Sequence, residues 1–304
     1  MTSESMSLVD RLAERAAEIE SVLDTILTAD VGEEEIARPA NLLAAMRYGV
    51  LNGGKRMRPF LVMETAALLG ADRSAAARVG AAIECLHCYS LIHDDLPAMD
   101  DDDMRRGQPT VHVAFDEATA ILAGDTLLTL AFEIIASPQT QADGERRIEL
   151  IYELTKASGI GGMAGGQALD LAAETTPPDE AGIIRLQAMK TGALIRYSCE
   201  AGAILAGAAA SDRERLRRFG EAIGLAFQLA DDLLDVTGNA DAVGKATGKD
   251  AAHGKATLVG LHGEQWAQKQ LSGLVQEATQ LLEPFGQSAQ YLKLAARFIA
   301  ERDR

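Results

Sequence analysis

The ten residues from Asp94 to Asp103 read Asp-Asp-Leu-Pro-Ala-Met-Asp-Asp-Asp-Asp, and six of them are aspartates. Asp100 to Asp103 are adjacent and repel one another at neutral pH, so the run needs cations or open water around it. A second cluster, Asp231-Asp232-Leu233-Leu234-Asp235, repeats the theme; each cluster follows an apolar stretch, Cys85 to Ile92 and Ile223 to Ala230. On a helix, Asp231 and Asp235 lie one turn apart on one face. Oxygen-only donors of this kind suit a hard cation. Magnesium takes one or two carboxylates, keeps waters and completes its shell with substrate phosphates. A calcium hand would need a glycine-centred loop with alternating ligands, which the chain lacks. An Asp-x-x-x-Asp pair alone is more often a solvated face. Both clusters together lead to the expectation that they face each other and share magnesium.

Two groups of cations accompany the acids. Lys55, Arg56 and Arg58 lie in Leu51-Asn52-Gly53-Gly54-Lys55-Arg56-Met57-Arg58-Pro59, where Asn52 and the glycines should end one helix and Pro59 should open the next. Cations at a helix boundary beside exposed N–H groups suit phosphate. An ordinary basic turn accounts for this stretch equally well. The other group is Arg105-Arg106. Carboxylates cannot bind a diphosphate without metal between them, whereas two basic clusters can hold two phosphorylated ligands.

Other candidate motifs have simpler readings. Cys85-x-x-Cys88 lacks the second ligand pair of a zinc site and any surrounding βαβ pattern, so core thiols account for it. His87 by itself reads as a satisfied core histidine. Ser158 to Gln167 is glycine-rich, but no Gly-Lys-Ser/Thr closes a phosphate loop, and close helix packing is the better account. Glu33-Glu34-Glu35 reads as a solvated helix start, Arg213 to Arg218 as a solvated basic face, and Trp266 as surface or interface packing.

The elements that must position these residues are helices. Apolar periodicity and punctuation by Pro, Gly and Asn predict helices over 7–29, 40–51, 59–69, 74–95, 117–136, 145–158, 179–206, 219–236, 257–282 and 287–301. Asp212 should cap a helix leading into the second acidic cluster. Residues 237–256, with Lys245, Lys249 and Lys255, should form a loop. No convincing alternating strand and no solenoid repeat is visible. The expected architecture is all-α, one domain over 1–304.

The bulk numbers agree. Of 304 residues, 47% are hydrophobic but only 4% aromatic, so the core must be Ala, Leu, Ile and Val, which favours close-packed helices. A net charge of −16 argues against nucleic acid and against anionic lipid as partners. Three cysteines make no disulfide framework. With no signal core at the N-terminus and no uninterrupted apolar run of membrane-spanning length, a cytoplasmic protein without stable membrane insertion is expected.

Taken in order, several motifs together resemble the trans-prenyl diphosphate synthase family nearly end to end. They are Gly53-Gly54-Lys55-Arg56-x-Arg58-Pro59, Leu91-Ile92-His93-Asp94-Asp95-Leu96-Pro97-Ala98-Met99-Asp100, Arg105-Arg106-Gly107, Gly165-Gly166-Gln167, Lys190-Thr191-Gly192, Phe227-Gln228-x-x-Asp231-Asp232-x-x-Asp235 and Gly244-Lys245. The two-residue insertion in the first aspartate motif is similar to that of the family's bacterial farnesyl type. The resemblance implies an all-α, single-domain antiparallel helical bundle around a central cavity, of isoprenoid synthase type, usually a homodimer. It implies a magnesium-dependent head-to-tail condensation of isopentenyl diphosphate with dimethylallyl or geranyl diphosphate, giving farnesyl diphosphate.

It further implies magnesium on Asp94, Asp100 and Asp231, three ions per active site with substrate bound, supported by Asp95 and Asp235. Lys55, Arg58, His87 and Arg106 resemble an isopentenyl diphosphate site; Arg105, Lys190, Thr191, Gln228 and Lys245 resemble an allylic one, with Lys190 and Arg105 also serving catalysis. Tyr89, one turn and a little more before Asp94, would stop chain growth, with Ser90 beside it. A member making geranylgeranyl diphosphate, a terpene cyclase, a non-catalytic synthase subunit and a simple acidic metal buffer are the alternatives.

Overall fold

Local signals start and stop most of the helices. Helix α1 (Leu8–Ile26) begins where the Ser7 hydroxyl oxygen accepts from the Asp10 N–H at 3.1 Å. Its buried residues, Leu12, Arg15, Ile19 and Leu23, recur at helical spacing. The computed structural model describes residues 6–32, 34–237 and 256–301, and it is all-α apart from one short ribbon. The chain divides into two compact units, residues 1–63 with 72–151, and residues 64–71 with 152–304.

In the first unit, α1 is followed by α2 (Ala40–Leu51), the start of α3 (Met57–Leu68) and α4 (Arg73–Asp94). Then come β1 (Met104–Arg105), β2 (Gln108–Pro109), α5 (Val111–Ala114), α6 (Glu117–Ala136) and the start of α7 (Gly144–Ser158). Helix α4 is the axis of this unit. Asp72 caps it by accepting from the Ala75 N–H at 2.8 Å, and its residues from Ala75 to Leu86 are buried nearly all round except Arg78. Helices α1, α2 and α6 all pack on it. Small side chains suit this packing: α4 buries Ala75, Ala76, Ala77, Ala81 and Ala82, and α6 buries Ala120, Ala123 and Ala131.

The second unit holds α8 (Met163–Thr175), α9 (Glu180–Gln187), a π-helical turn (Ala188–Gly192), α10 (Ala193–Ala206) and α11 (Ala210–Thr237). It ends with α12 (Leu258–His262), α13 (Glu264–Leu281), a 3₁₀ stretch (Glu283–Ala289) and α14 (Gln290–Ala300). Helix α10 is buried over most of its length and packs against α11, which also meets α13 and α14.

Several expectations need correction. The chain does contain paired strands: β1 and β2 form a two-residue antiparallel ribbon. Its loop, Arg106-Gly107, has φ of +53° and +76°, the geometry of a type I′ hairpin turn. An arginine in the first of those positions is a weak hairpin signal, which is why the sequence did not announce it. The helix expected over 179–206 runs without a break from Glu180 to Ala206 but widens into the π turn at Ala188–Gly192, whereas the one expected over 257–282 is broken at Gly263. Asp212 lies in the first turn of a single helix, α11, and does not cap it. Glu34 and Glu35 open no helix; Glu35 accepts from the Gly32 N–H and binds Arg38, closing a turn. Helix α6 is, among the described residues, the one helix long and apolar enough to cross a membrane, and it buries one face against α4. Lys245, Lys249 and Lys255, with nearly all of the expected 237–256 loop, lie outside the described residues.

Candidate functional site

The end of α4 folds the first acidic run into a compact turn. Pro97 cannot continue the helix. The chain instead turns so that the Asp100 N–H donates to the Asp94 carbonyl at 2.8 Å, the Met99 N–H to Leu96 at 2.8 Å and the Asp101 N–H to Leu96 at 3.2 Å. Asp101 takes a φ of +51°, a region that Asp tolerates better than most residues. The four residues between Asp95 and Asp100 thus form a turn that brings Asp94 and Asp100 back together at the backbone. Asp94 is half-buried and Asp100 is exposed. Asp95 points elsewhere: it is buried and gripped by Arg105, whose Nε lies 2.8 Å and Nη2 2.5 Å from Asp95 Oδ1.

The ribbon sets the place of Arg105. Tyr48 of α2 donates its hydroxyl to the Pro109 carbonyl at 2.7 Å, and the Thr110 N–H donates to Asp103 at 2.9 Å, so the open end of the ribbon is tied down. The neighbouring Arg106 is exposed and donates to the Gly53 carbonyl. Its guanidinium lies across Gly54, whose φ is +122°; a Cβ there would sit 2.8 Å from the guanidinium carbon. Arg106 of one motif is therefore seated on the glycines of another.

Of the three cations expected beside those glycines, Arg56 is not one that faces solvent. It is buried, takes a φ of +46°, and donates to Glu84 at 2.6 Å and to the Val50 carbonyl at 2.7 Å. Glu84 is buried too, so this pair locks the α2–α3 turn onto α4. Lys55 remains exposed and Arg58 half-buried. His87, one turn beyond Glu84 region on α4, is half-buried; desolvation first, then the positive fields of Arg58, Arg106 and Arg105, hold its pKa well below the ordinary 6.5. That shared field places Arg58, His87 and Arg106 in one neighbourhood of the first unit.

Farther toward the acidic turn, Tyr89 is half-buried, and burial followed by the Asp94 carboxylate pushes its hydroxyl above the ordinary value. Its ring meets that of His93 edge-on, with centroids 5.7 Å apart. Ser90 donates its hydroxyl back to the His87 carbonyl at 2.8 Å.

In the second unit, Lys190, Thr191 and Gln228 line a cavity of about 230 Å³ together with Asp170, Gln187 and Asp232. The π turn positions the first two. One π turn widens the helix by a residue and redirects side chains, and such turns are frequent at functional sites. Gly166 makes room for it: a Cβ there would lie 2.1 Å from the Lys190 nitrogen, so the glycine-rich stretch serves close packing. Lys190 Nζ is 2.6 Å from Asp170. Gln187 donates to buried Asp232 at 3.0 Å, while Asp231 and Asp235 stay half-buried on α11. Asp170 and Gln187 were missed from sequence; a carboxylate in the middle of the mostly apolar α8 was the available signal.

Buried, free Cys85, Cys88 and Cys199 are held as thiols; burial pushes Cys88 up to about 12. Among the described residues, no three His, Cys, Asp or Glu side chains stand together as a ready-made metal site.

The polyprenyl synthetase family pattern matches residues 39–290, and the chain belongs to that family. It is 46% identical over 272 residues to a farnesyl diphosphate synthase of Escherichia coli (strain K12), covering 86% of this chain and 90% of that one. It is 39% identical over 297 residues to a farnesyl diphosphate synthase of Bacillus subtilis (strain 168), covering 97% and 98%. Among solved structures, an FPP/GFPP synthase from Zymomonas mobilis in its apo form aligns with a TM-score of 0.86 and 47% identity, over 96% of this chain and 98% of that one.

Proposed function

We infer that the chain is a head-to-tail prenyltransferase that condenses isopentenyl diphosphate with dimethylallyl or geranyl diphosphate and makes farnesyl diphosphate. The observation that carries this reading is the turn in which Asp100 closes onto Asp94 at the end of α4, in a chain so similar to farnesyl diphosphate synthases. Asp94, Asp100 and Asp231 would hold magnesium, with three ions per site once substrate is bound. Their all-oxygen donor set suits this hard cation better than a soft, thiolate-seeking metal. Asp95, already engaged by Arg105, fits a supporting role, and Asp235 would have one too. Bound magnesium would supply Lewis-acid stabilisation to the departing diphosphate.

The protein's own groups do the rest. Lys190, Thr191 and Gln228, with Arg105 and Lys245, hold the allylic diphosphate. Lys190 enters with its ammonium already extended toward Asp170, so little ordering is left to bind a phosphate oxygen. The allylic C–O bond breaks and its electron pair leaves with the diphosphate. Lys55, Arg58, His87 and Arg106 hold isopentenyl diphosphate, His87 as a neutral donor. The alkene of that substrate supplies the pair for the new C–C bond. A proton then leaves the adjacent carbon, taken up by released diphosphate, and the product alkene forms. No enzyme nucleophile enters, in keeping with thiols held protonated by burial. The carbocation must be kept from water, and the Phe227 ring can stabilise it. Tyr89, with Ser90, ends growth at fifteen carbons.

One polyprenyl synthase domain over 1–304 is supported by the extent of the family match. A homodimer is supported by Ile121 and Leu122 of α6 and Ile148 of α7, large apolar residues left exposed on the first unit. Buried free thiols fit a reducing cytoplasm. The deciding experiment is product analysis of the purified protein with magnesium, isopentenyl diphosphate and geranyl diphosphate. A fifteen-carbon diphosphate is expected. Turnover of the allylic substrate without isopentenyl diphosphate would indicate a cyclase, and a twenty-carbon main product the geranylgeranyl alternative.

A further inference from the structure

The geometry points to His93 as a positioning residue for product length: it braces the Tyr89 ring and is itself seated in a slot on α6 made by Ile121 and Gly124. The inference rests on the reading of Tyr89 as the gate. His93 follows Tyr89 by four residues, so the two share one face of α4. Their rings stand edge to face, 5.7 Å apart and 85° between planes. On its other side, His93 Nε2 is 3.0 Å from the Ile121 carbonyl oxygen. A carbonyl only accepts, so Nε2 carries the proton. Gly124 completes the slot: a Cβ at that position would lie 2.2 Å from His93 Nε2 and 2.4 Å from Cδ2. The imidazole thus occupies the space that any larger residue would fill. Helix α6 holds the ring by one hydrogen bond and by shape, and the ring in turn blocks Tyr89 from swinging toward α6. Asp125, 3.9 Å from Nε2, is too far to compete for the bond.

The consequence is a gate whose stiffness is set by residues other than the gate itself. Four variants test it by the ratio of twenty- to fifteen-carbon product: Tyr89→Ala, His93→Ala, Gly124→Ala and the double variant Tyr89→Ala/His93→Ala. His93→Ala removes the brace. Gly124→Ala expels the ring from its slot without altering α4. Both should raise the ratio several-fold, Tyr89→Ala more so, and the double variant should match Tyr89→Ala alone, because the two residues act as one unit. A merely structural His93 would lower turnover or melting temperature and leave the ratio at the parent value; that result in both folded single variants overturns the inference. Should His93→Ala not fold, His93→Asn, which also removes the ring edge, reads the same ratio. If Tyr89→Ala itself leaves the products unchanged, the gate reading fails and takes this inference with it. If Tyr89→Ala lengthens them and neither other variant does, the brace alone is wrong.

Discussion

Arg105 holds Asp95 through both Nε and Nη2, with Asp95 almost wholly buried and Arg105 about one-fifth exposed. The pair joins the ribbon to the end of α4, so the acidic turn and the arginine motif move as one body. Asp95→Ala should leave a largely buried guanidinium unpaired and lower stability by about 3 kcal/mol, the low end for a buried pair because Arg105 keeps some water. Asp94→Ala removes a carboxylate at the same turn and should behave differently: stability near the parent's, turnover down by orders of magnitude. Urea unfolding beside steady-state kinetics separates the two, and equal stability of both variants would contradict the assignment.

Arg56 and Glu84 make a buried pair at 2.6 Å. Arg56→Met should therefore cost about 3–5 kcal/mol, with Michaelis constants for both diphosphates unchanged in the protein that remains folded. Adding Glu84→Leu should recover part of the loss, since two apolar groups need no partner. A raised Michaelis constant for isopentenyl diphosphate without loss of stability would return Arg56 to the substrate site.

Gly54→Ala is expected to act on one substrate only. The added Cβ meets the Arg106 guanidinium, and a φ of +122° strains any side chain, at about 1–3 kcal/mol. Displacing Arg106 should raise the Michaelis constant for isopentenyl diphosphate and leave that for geranyl diphosphate near the parent value. Equal changes in both would show that Arg106 does not belong to one substrate alone.

His87 gives a pH-dependent prediction. Burial and the surrounding arginines depress its pKa in the folded protein from the ordinary 6.5. Below that value the unfolded chain takes up a proton that the folded chain refuses, so the unfolded state binds more protons and stability falls as pH drops. His87→Gln, which cannot titrate, should flatten this decline between about pH 7 and 5. Denaturant midpoints measured across that range check it; an unchanged slope would mean that His87 is not shielded as described.

Much of this was legible because helices are local. The spacing of apolar residues in α1, α2, α4 and α6, with Pro39 before α2, predicts their existence and most of their bounds. Both acidic runs and both basic groups could be named as well, since clustered like charge has few cheap explanations. What did not show was which way a given side chain faces. Arg56 looks like its neighbours Lys55 and Arg58 in sequence, and only its left-handed backbone and the nearby Glu84 turn it inward. The π turn at Lys190 reads as plain helix because one extra residue per turn leaves no mark in composition.

Sequence alone therefore determined the helical class, the family and the inventory of charged groups, all properties of residue type and short-range order. The tertiary structure decided pairings: Asp95 with Arg105, Asp232 with Gln187, Lys190 with Asp170, Arg106 on Gly53 and His93 against Gly124. Each such choice depends on a contact between positions at least ten residues apart, settled by burial and packing, and no local pattern encodes it.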